Sequence, residues 1–301
     1  MTPTPPTPPT WDRAPVVDQV AVDGLVRLLD LETIEVNLFR GVSPDVSLQR
    51  VFGGQVAGQA LVAAARTVDP EHGHVHSLHA YFLRPGDPSV PILYEVDRIR
   101  DGRSFTTRRV VAIQHGKAIF NLQSSFQKPE QGLEHQLPVP EGIPAPEELP
   151  TFRERWADRA ALLGEWYTRP RPIDFRVDWT PQERDEPLPP RQHVWLRAAG
   201  LLPDDPILHA CVLTYASDMT LLDTTLLPHG GTYQENELMM ASLDHAMWFH
   251  RPFEADQWLL YAQDSPSASE ARGLARGLVY TQDGALVASV VQEGLIRQVR
   301  R

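Results

Sequence analysis

The sequence predicts an α+β fold made of two copies of one domain, and two observations support this. The motif Tyr81-Phe82-Leu83-Arg84-Pro85 returns as Trp248-Phe249-His250-Arg251-Pro252, 167 residues later. The turn at His115-Gly116-Lys117 returns as Asp283-Gly284-Ala285, 168 residues later, and an apolar-rich run follows it both times. Solenoid repeats have periods of about 20 to 50 residues, so a repeat this long indicates two domains of roughly 120 residues each.

The first copy reads as helices followed by strands. Residues 1–19 are a Pro/Thr-rich tail with little to bury, which predicts a solvated segment. A helix is predicted over 20–29 and a strand over 32–40. Gly53 and Gly54 then open a central helix over 55–68, whose small apolar residues suit close packing against a sheet. Four strands complete the copy, over 75–84, 90–100, 104–114 and 117–127.

One long helix wrapped by an antiparallel sheet is the hotdog arrangement. The chain is therefore predicted to be a tandem (double) hotdog, with two antiparallel sheets each wrapped around a long central helix. The first domain covers 20–128, and residues 129–170 form a Pro- and Glu-rich linker that carries a helix over 151–166. The second domain covers 171–301, with a central helix over 207–222, a turn over 227–231 and strands over 173–179, 191–197, 242–250, 257–264, 269–281 and 286–297.

Bulk composition excludes several classes of protein. A net charge of −11 argues against generic nucleic-acid binding, which needs a basic surface. No apolar run is long enough to span a bilayer, and the N-terminus lacks the pattern of a secretory signal. The single cysteine, Cys211, cannot form an intramolecular disulfide, so a reducing cytoplasm is the simplest predicted location.

Asp218 is the most unusual residue of the second copy. It falls within the predicted helix over 207–222, which is apolar on almost every face and is therefore expected to be buried. A buried carboxylate is costly without partners, and burial raises its pKa while hydrogen-bond donors lower it. The helix over 55–68 has no carboxylate, so Asp218 distinguishes the copies. The alternative is that Asp218 lies at a solvent edge or caps a local turn.

Two further polar residues stand near the ends of predicted strands. Ser242 offers a hydroxyl at the start of the strand over 242–250, on the face opposite to His245. Gln292 interrupts an apolar run, at a position where the first copy has Ser124 or Ser125. A Gln amide can donate to and accept from a water, but it cannot act as an acid or base. Ordinary strand-end and edge-strand roles are the alternatives for these two residues.

With these residues the chain resembles the acyl-CoA thioesterase II family, the double-hotdog thioesterases, from about residue 20 to residue 297. The matching residues of the first copy are Val51-Phe52-Gly53-Gly54-Gln55 and His76-Ser77-Leu78-His79-Ala80-Tyr81-Phe82-Leu83-Arg84-Pro85-Gly86. Those of the second copy are Ser217-Asp218, Leu243-Asp244-His245-Ala246-Met247-Trp248-Phe249-His250-Arg251-Pro252 and Val291-Gln292-Glu293-Gly294. Each motif alone is weak, whereas together they are specific.

The resemblance implies hydrolysis of fatty acyl-CoA to free acid and CoA, without a metal or a bound cofactor. The family's water-activating Asp, Thr or Ser, and Gln map to Asp218, Ser242 and Gln292, with Ser where Thr is often found. The backbone N–H groups of Gly54 and Gln55, at a helix N-terminus, are the candidates for binding the thioester oxygen. That helix end is expected to face the trio of the other copy, and the chain is expected to form a homodimer or a larger homo-oligomer.

Other chemistries fit the sequence less well. No Gly-x-Ser-x-Gly motif is present, and Cys211 is expected to be a core residue rather than a nucleophile. His245 is expected to face away from Ser242 and Asp244, which excludes a triad on one strand. A cluster is formed by His72, His74, His76 and His79, but a metal site is not expected there. His74 and His76 fall in or near a strand whose sequence matches the thioesterase pattern, and that pattern has no metal. A hotdog-fold enoyl-CoA hydratase and a non-catalytic acyl-CoA binding protein remain the alternative functions.

Overall fold

The computed structural model describes residues 17–44, 49–180, 183–230 and 238–299. The predicted tail lies outside these residues except for 17–19, where Asp18 caps the first helix. The helices are α1 Gln19–Leu29, α2 Gly53–Ala65, α3 Phe152–Arg155, α4 Ala160–Leu163, α5 Glu165–Thr168 and α6 Pro206–Ser217. The strands of the first half are β1 Glu32–Glu35, β2 Leu38–Gly41, β3 His74–Phe82, β4 Ile92–Asp101, β5 Phe105–Gln114 and β6 Lys117–Gln127. Those of the second half are β7 Ile173–Val177, β8 Arg191–Ala198, β9 Leu238–Ser242, β10 Asp244–Phe249, β11 Leu259–Ser269, β12 Arg272–Thr281 and β13 Leu286–Gln298.

The strands form one continuous antiparallel sheet of 13 strands. Its order along the main path is β1-β2-β4-β5-β6-β3-β10-β13-β12-β11-β8-β7, and β9 pairs separately with β13. The two predicted sheets are therefore joined edge to edge, through the pairing of β3 with β10. In that pairing Ala246 lies opposite His79, and each residue stands two positions before the repeated aromatic motif. A pseudo-twofold axis thus relates the halves and passes between these residues.

The two central helices pack against each other inside this sheet. A Cβ atom added to Gly54 would lie 2.3 Å from the Tyr215 carbonyl oxygen, and one added to Gly58 would lie 3.3 Å from the Cys211 oxygen. Gly54 and Gly58 are four residues apart, as are Cys211 and Tyr215, so one face of α2 lies directly on the backbone of α6. The small residues of α2 thus allow a close approach to a helix, where the sequence had suggested a sheet.

The Pro-rich part of the linker lies over the outer face of the second half. Trp195 donates from Nε1 to the Pro144 carbonyl at 2.9 Å, and Tyr280 donates from its hydroxyl to the Pro138 carbonyl at 3.2 Å. Beneath it lies a small apolar cluster separate from the main core, formed by Trp195, Trp258, Leu260, Tyr280 and Leu286. The limits of the tail, the linker and the two domains stay predictions.

Three predicted elements away from Asp218 and Ser242 are wrong in detail. The strand over 32–40 is a hairpin of β1 and β2, because Asn37 adopts a left-handed conformation with φ 62°. The linker helix over 151–166 is instead a series of short helical segments, and Gly164 at φ 54° separates the last two. The strand over 269–281 begins later, because residues 270 and 271 form the turn between β11 and β12.

Candidate active site

Asp218 lies at the C-terminal end of α6 rather than in the middle of a helix. Pro206 opens the helix, and the Asp205 side chain accepts the Ile207 N–H at 3.0 Å. Asp218 caps its other end with φ −79° and ψ −7°. The predicted helix over 207–222 is thus too long, because the apolar pattern continues into a 3₁₀ helix, Leu222–His229, that includes most of the turn expected over 227–231. Asp218 is therefore the C-cap residue of α6, but its side chain accepts from Ser242 and Gln292 and does not cap a local turn.

Two side chains from two different strands meet at the Asp218 carboxylate. Ser242 ends β9 and donates its hydroxyl to Oδ1 of Asp218 over 3.2 Å. Gln292 lies in β13 and donates from Nε2 to the same oxygen at 2.5 Å and to Oγ of Ser242 at 2.9 Å. Because Ser242 pairs with Gly294 in the strand that carries Gln292, strand pairing holds two of the three residues together. The predicted trio thus lies within hydrogen-bond distance.

Ser242 and His245 belong to different strands. The chain leaves β9 after Ser242 and enters β10 at Asp244, so the single strand predicted over 242–250 is wrong. Within β10, His245 and Met247 are buried while Asp244 and Ala246 are partly exposed, which confirms the alternation expected there. His245 therefore points into the core, and Asp244 accepts the Glu293 N–H at 2.7 Å on the other face.

The N-terminus of α2 completes the site from the first half of the chain. The backbone N–H of Gly54 forms a hydrogen bond with the Asp218 carboxylate. A Cβ atom at Gly53 would lie 2.7 Å from Oδ2 of Asp218, so only glycine fits there without displacement. The Gln55 side chain is directed elsewhere, donating to the Val42 carbonyl at 3.2 Å and to the Ser43 hydroxyl at 3.1 Å. The site thus lies between the two halves, as expected.

Burial dominates the electrostatics of Asp218. Removal of the carboxylate from water raises its pKa to about 6, although hydrogen bonds from Gln292, Ser242 and the Gly54 N–H act in the opposite direction. A carboxylate with this pKa is ionised at neutral pH, yet it is a stronger base than an exposed aspartate. Oε1 of the fully buried Gln292 has no hydrogen-bond partner among the described residues. An acceptor is thus available beside the base.

The trio is not repeated among the described residues of the first half. His79 pairs with Gln123 and its symmetry mate Ala246 pairs with Val291, so Gln292 corresponds to Ser124 rather than to Ser125. Arg108 pairs with Ser124 there, and its guanidinium is 1% exposed. It donates to the Thr67 hydroxyl at 2.8 Å and to the Thr67 carbonyl at 3.0 Å. A buried arginine therefore occupies this part of the first half.

Two residues next to the trio were not identified from the sequence as part of the site. Nε2 of His245 lies 2.9 Å from the hydroxyl of Ser217, the residue before Asp218. Both side chains are fully buried. The available signal was a histidine at an inward position of an otherwise apolar strand face. Cys211 is buried as expected, and burial raises the pKa of its thiol well above the usual value.

Two histidines of β3 make ring contacts. His76 lies edge-on to Phe105 with ring centroids 5.6 Å apart, and His79 lies edge-on to Trp248 at 5.1 Å. Across the described ranges, no group of three or more His, Cys, Asp or Glu residues is arranged to hold a metal ion. None of the helices described is both long and apolar enough to cross a bilayer.

The fold defines a double-hotdog protein. Family models match both halves, one for the acyl-CoA thioesterase N-terminal domain over residues 42–127 and one for acyl-CoA thioesterase over 168–295. Acyl-coenzyme A thioesterase 8 of Mus musculus is 45% identical over 90% of this chain and 88% of its own length. Acyl-CoA thioesterase 2 of Haemophilus influenzae is 41% identical over 92% of this chain and 98% of its own.

Solved structures agree with these relatives. The crystal structure of an acyl-CoA thioesterase II, TesB2, from Mycobacterium marinum has a TM-score of 0.76 and 48% identity, covering 91% of this chain and 98% of that one. The chain belongs to the acyl-CoA thioesterase family and is an enzyme of the thioester hydrolase class. The predicted tandem hotdog fold is confirmed.

Proposed function

We propose that this enzyme hydrolyses fatty acyl-CoA to the free acid and CoA, with Asp218, Ser242 and Gln292 activating and orienting the attacking water. One observation supports this above all. A carboxylate with a raised pKa is held by Ser242 and Gln292 at the N-terminus of a helix. A thioester is an activated acyl group, so its hydrolysis needs a base, a positioned water and a donor for the developing oxyanion.

The reaction follows from the roles of these groups. The water oxygen attacks the thioester carbonyl carbon while one water proton moves to Asp218. Gln292 orients that water through Oε1, which is unpaired, while its Nε2 holds Asp218 and Ser242 in place. Collapse of the tetrahedral intermediate breaks the C–S bond. The proton on Asp218 then passes to the departing thiolate, which leaves as CoA, and the base is regenerated.

The developing oxyanion is proposed to bind at the N-terminus of α2, through the N–H groups of Gly54 and Gln55. The first N–H groups of a helix have no partner within it, and the helix dipole favours negative charge there. Gly54 already donates to Asp218, so its N–H is shared between the base and the substrate oxygen. Gln55 supplies the second donor from its backbone N–H. Its side-chain amide has a different role and donates to Val42 and Ser43.

Release of thiol from acyl-CoA tests the reaction class. We expect the wild-type enzyme to liberate CoA from a panel of short- to long-chain acyl-CoAs, measured with a thiol reagent. A matched 2-enoyl-CoA panel, followed by loss of enoyl absorbance, serves as the comparison. Loss of enoyl absorbance without thiol release would indicate a hydratase, and neither change would indicate a binding protein.

The homo-oligomeric state and the cytoplasmic location predicted from the sequence are part of this proposal.

The pH dependence of kcat reports the ionisation of the base. Because Asp218 must be ionised to accept a proton and its pKa is about 6, we expect kcat to rise with pH through about 6 and then to level off. An aspartate with an ordinary pKa would instead give a midpoint near 3.8, so the two cases are well separated. A pH–rate profile with a saturating acyl-CoA provides the measurement, and a flat profile between pH 5 and 8 would contradict the assignment.

A further inference from the structure

His245 is a buried ionisable residue to which the proposed mechanism gives no role. Its side chain is fully buried on the inner face of β10. Burial lowers its pKa to about 4, so the imidazole is neutral at physiological pH. Nε2 lies 2.9 Å from the hydroxyl oxygen of Ser217, and Nδ1 has no partner among the described residues. A neutral histidine buried with one hydrogen bond is an expensive choice for a core position unless that bond has a use.

The contacts of Ser217 favour one direction for its hydrogen bond with His245. The Ser217 hydroxyl has a single proton, and its oxygen lies 3.0 Å from the Thr214 carbonyl oxygen one turn earlier in α6. A carbonyl can only accept, so a hydroxyl that donates to Thr214 can in turn accept from Nε2 of His245, and Sδ of Met247, at 3.4 Å, is a weaker acceptor for the same proton. This tautomer leaves Nδ1 as an unprotonated acceptor, which is the less costly atom to leave without a partner.

The hydrogen bond between His245 and Ser217 holds the same end of α6 as the hydrogen bonds to Asp218. Ser217 and Asp218 are consecutive residues at the end of α6. Ala246 of β10 pairs with Val291 of β13. His245 and Gln292 are the next residues of these two antiparallel strands, so they lie side by side on the inner face of the sheet. The sheet thus holds the end of α6 twice, once through Gln292 at Asp218 and once through His245 at Ser217.

We propose that His245 is a positioning residue that, by donating from Nε2 to Ser217, fixes the end of α6 so that Asp218 keeps its hydrogen bonds with Gln292 and Ser242. This inference rests on the proposed function of Asp218. It requires no proton transfer by His245, and the imidazole touches none of the reacting atoms. A displacement of about 1 Å at a catalytic group can lower the rate about 100-fold, which gives the scale of the expected effect.

Tyr261 is a further ionisable side chain beside this helix end, and its hydroxyl lies 3.5 Å from the Ser217 carbonyl oxygen. Burial and the charge of Asp218 hold its pKa well above the usual value, so it stays neutral in the working pH range. Loss of the His245 bond would loosen the donors that oppose the effect of burial on Asp218. The acid limb of the pH–rate profile should then move upwards.

The test compares two variants. His245→Leu replaces the imidazole with an apolar side chain and removes the donor. His245→Gln retains a donor, because its Nε2 is the same number of bonds from the backbone as that of histidine. We expect the Leu variant to lose about 10- to 100-fold in kcat with little change in KM, and to shift its acid limb above pH 6. The Gln variant should recover most of kcat and the wild-type limb. Equal impairment of both variants, or a wild-type profile in the Leu variant, would overturn the proposal.

His250 provides a matched control, since it follows β10 directly and its Nε2 lies 2.8 Å from the Ser289 hydroxyl of β13 in an exposed pair. His250→Leu should leave kcat and the pH profile within about twofold of wild type if only the buried pair positions the base. Ser217→Ala provides a second variant should His245→Leu fail to fold. It should reproduce the loss of kcat, and combining it with His245→Gln should cost nothing further, because the shared bond is already absent.

Failure of the proposed function would look different. If Asp218 were not the base, Asp218→Asn would retain activity, and the acid limb would lie away from pH 6 in the wild type as well. If only the role of His245 were wrong, Asp218→Asn would be inactive and the His245 variants would match the wild type.

Discussion

Replacing Asp218 with asparagine will lower kcat by about 10²- to 10⁴-fold, the range measured for loss of a general base. Asparagine keeps the size of the side chain and an oxygen that can accept from Gln292, so the site should remain assembled. It has no ionisable group, so it cannot take the proton of the attacking water. Single-turnover thiol release, with substrate binding measured separately, distinguishes loss of chemistry from loss of affinity. Near-normal turnover would remove Asp218 from the mechanism.

The same substitution is expected to stabilise the folded protein at neutral and alkaline pH. The pKa of Asp218 is about 6 in the folded state against 3.8 for an unperturbed carboxyl, so the folded state prefers the protonated form. The stability associated with that preference is present in full below pH 3.8 and is lost as the pH rises through 6. Ionisation of Asp218 therefore costs about 3 kcal/mol at pH 8.

Asparagine removes this cost, but its NH2 group cannot accept a hydrogen bond as the oxygen that it replaces can, so we expect a gain of about 1 to 3 kcal/mol. Thermal unfolding of the wild type and the variant at pH 5 and pH 8 checks the sign. The advantage of the variant should be larger at pH 8 than at pH 5. A variant that is less stable at both values would show that hydrogen bonding, rather than burial, determines the energetics of this carboxylate.

The sequence predicted the parts of the fold that depend on local pattern. The helix expected over 20–29 is Gln19–Leu29, and the strand expected over 117–127 is Lys117–Gln127. Hydrophobic periodicity and turn residues determine such elements locally. The hairpin at Asn37 had a readable signal, because asparagine tolerates the left-handed conformation that it adopts there.

Features that depend on distant partners were not predictable in the same way. Alternation cannot show that the chain changes strands at Leu243, because β9 and β10 are defined by where each pairs with β13. The end of α6 carries no glycine stop signal, and the apolar pattern continues past it. The resemblance located Asp218, Ser242 and Gln292, whereas the supporting bond from His245 depends on a contact between residues 28 positions apart.

The close contact of the two central helices leads to the second large effect, which we expect from Gly54→Ala. An alanine in a helix is normally more stabilising than glycine by about 0.5 to 1 kcal/mol. At Gly54 the sign should reverse, because the new Cβ would lie 2.3 Å from the Tyr215 carbonyl oxygen. That atom belongs to the backbone of α6, so no side-chain rotation can relieve the clash and the helices must move apart. Overpacking of this kind costs about 1 to 3 kcal/mol.

Activity should fall together with stability, because the same contact brings the N-terminus of α2 to Asp218. Separation of the helices by a fraction of an ångström would stretch the Gly54 hydrogen bond and displace the proposed oxyanion donors, so we expect about a 100-fold loss of kcat. Gly24→Ala in α1 is the matched control, since its new Cβ would meet only the end of the Arg27 side chain, at 3.9 Å. It should gain about 0.5 to 1 kcal/mol with unchanged activity.

Gly58→Ala provides the intermediate case. Its added Cβ would lie 3.1 Å from a Leu29 methyl group and 3.3 Å from the Cys211 carbonyl oxygen, distances that a small adjustment can accommodate. Stability, measured by thermal unfolding, should therefore fall in the order Gly24→Ala, Gly58→Ala, Gly54→Ala. The largest loss of kcat should occur in Gly54→Ala. If Gly54→Ala were instead as stable as Gly24→Ala, the helices would not be in contact there, and the position of α2 beside the base would need another explanation.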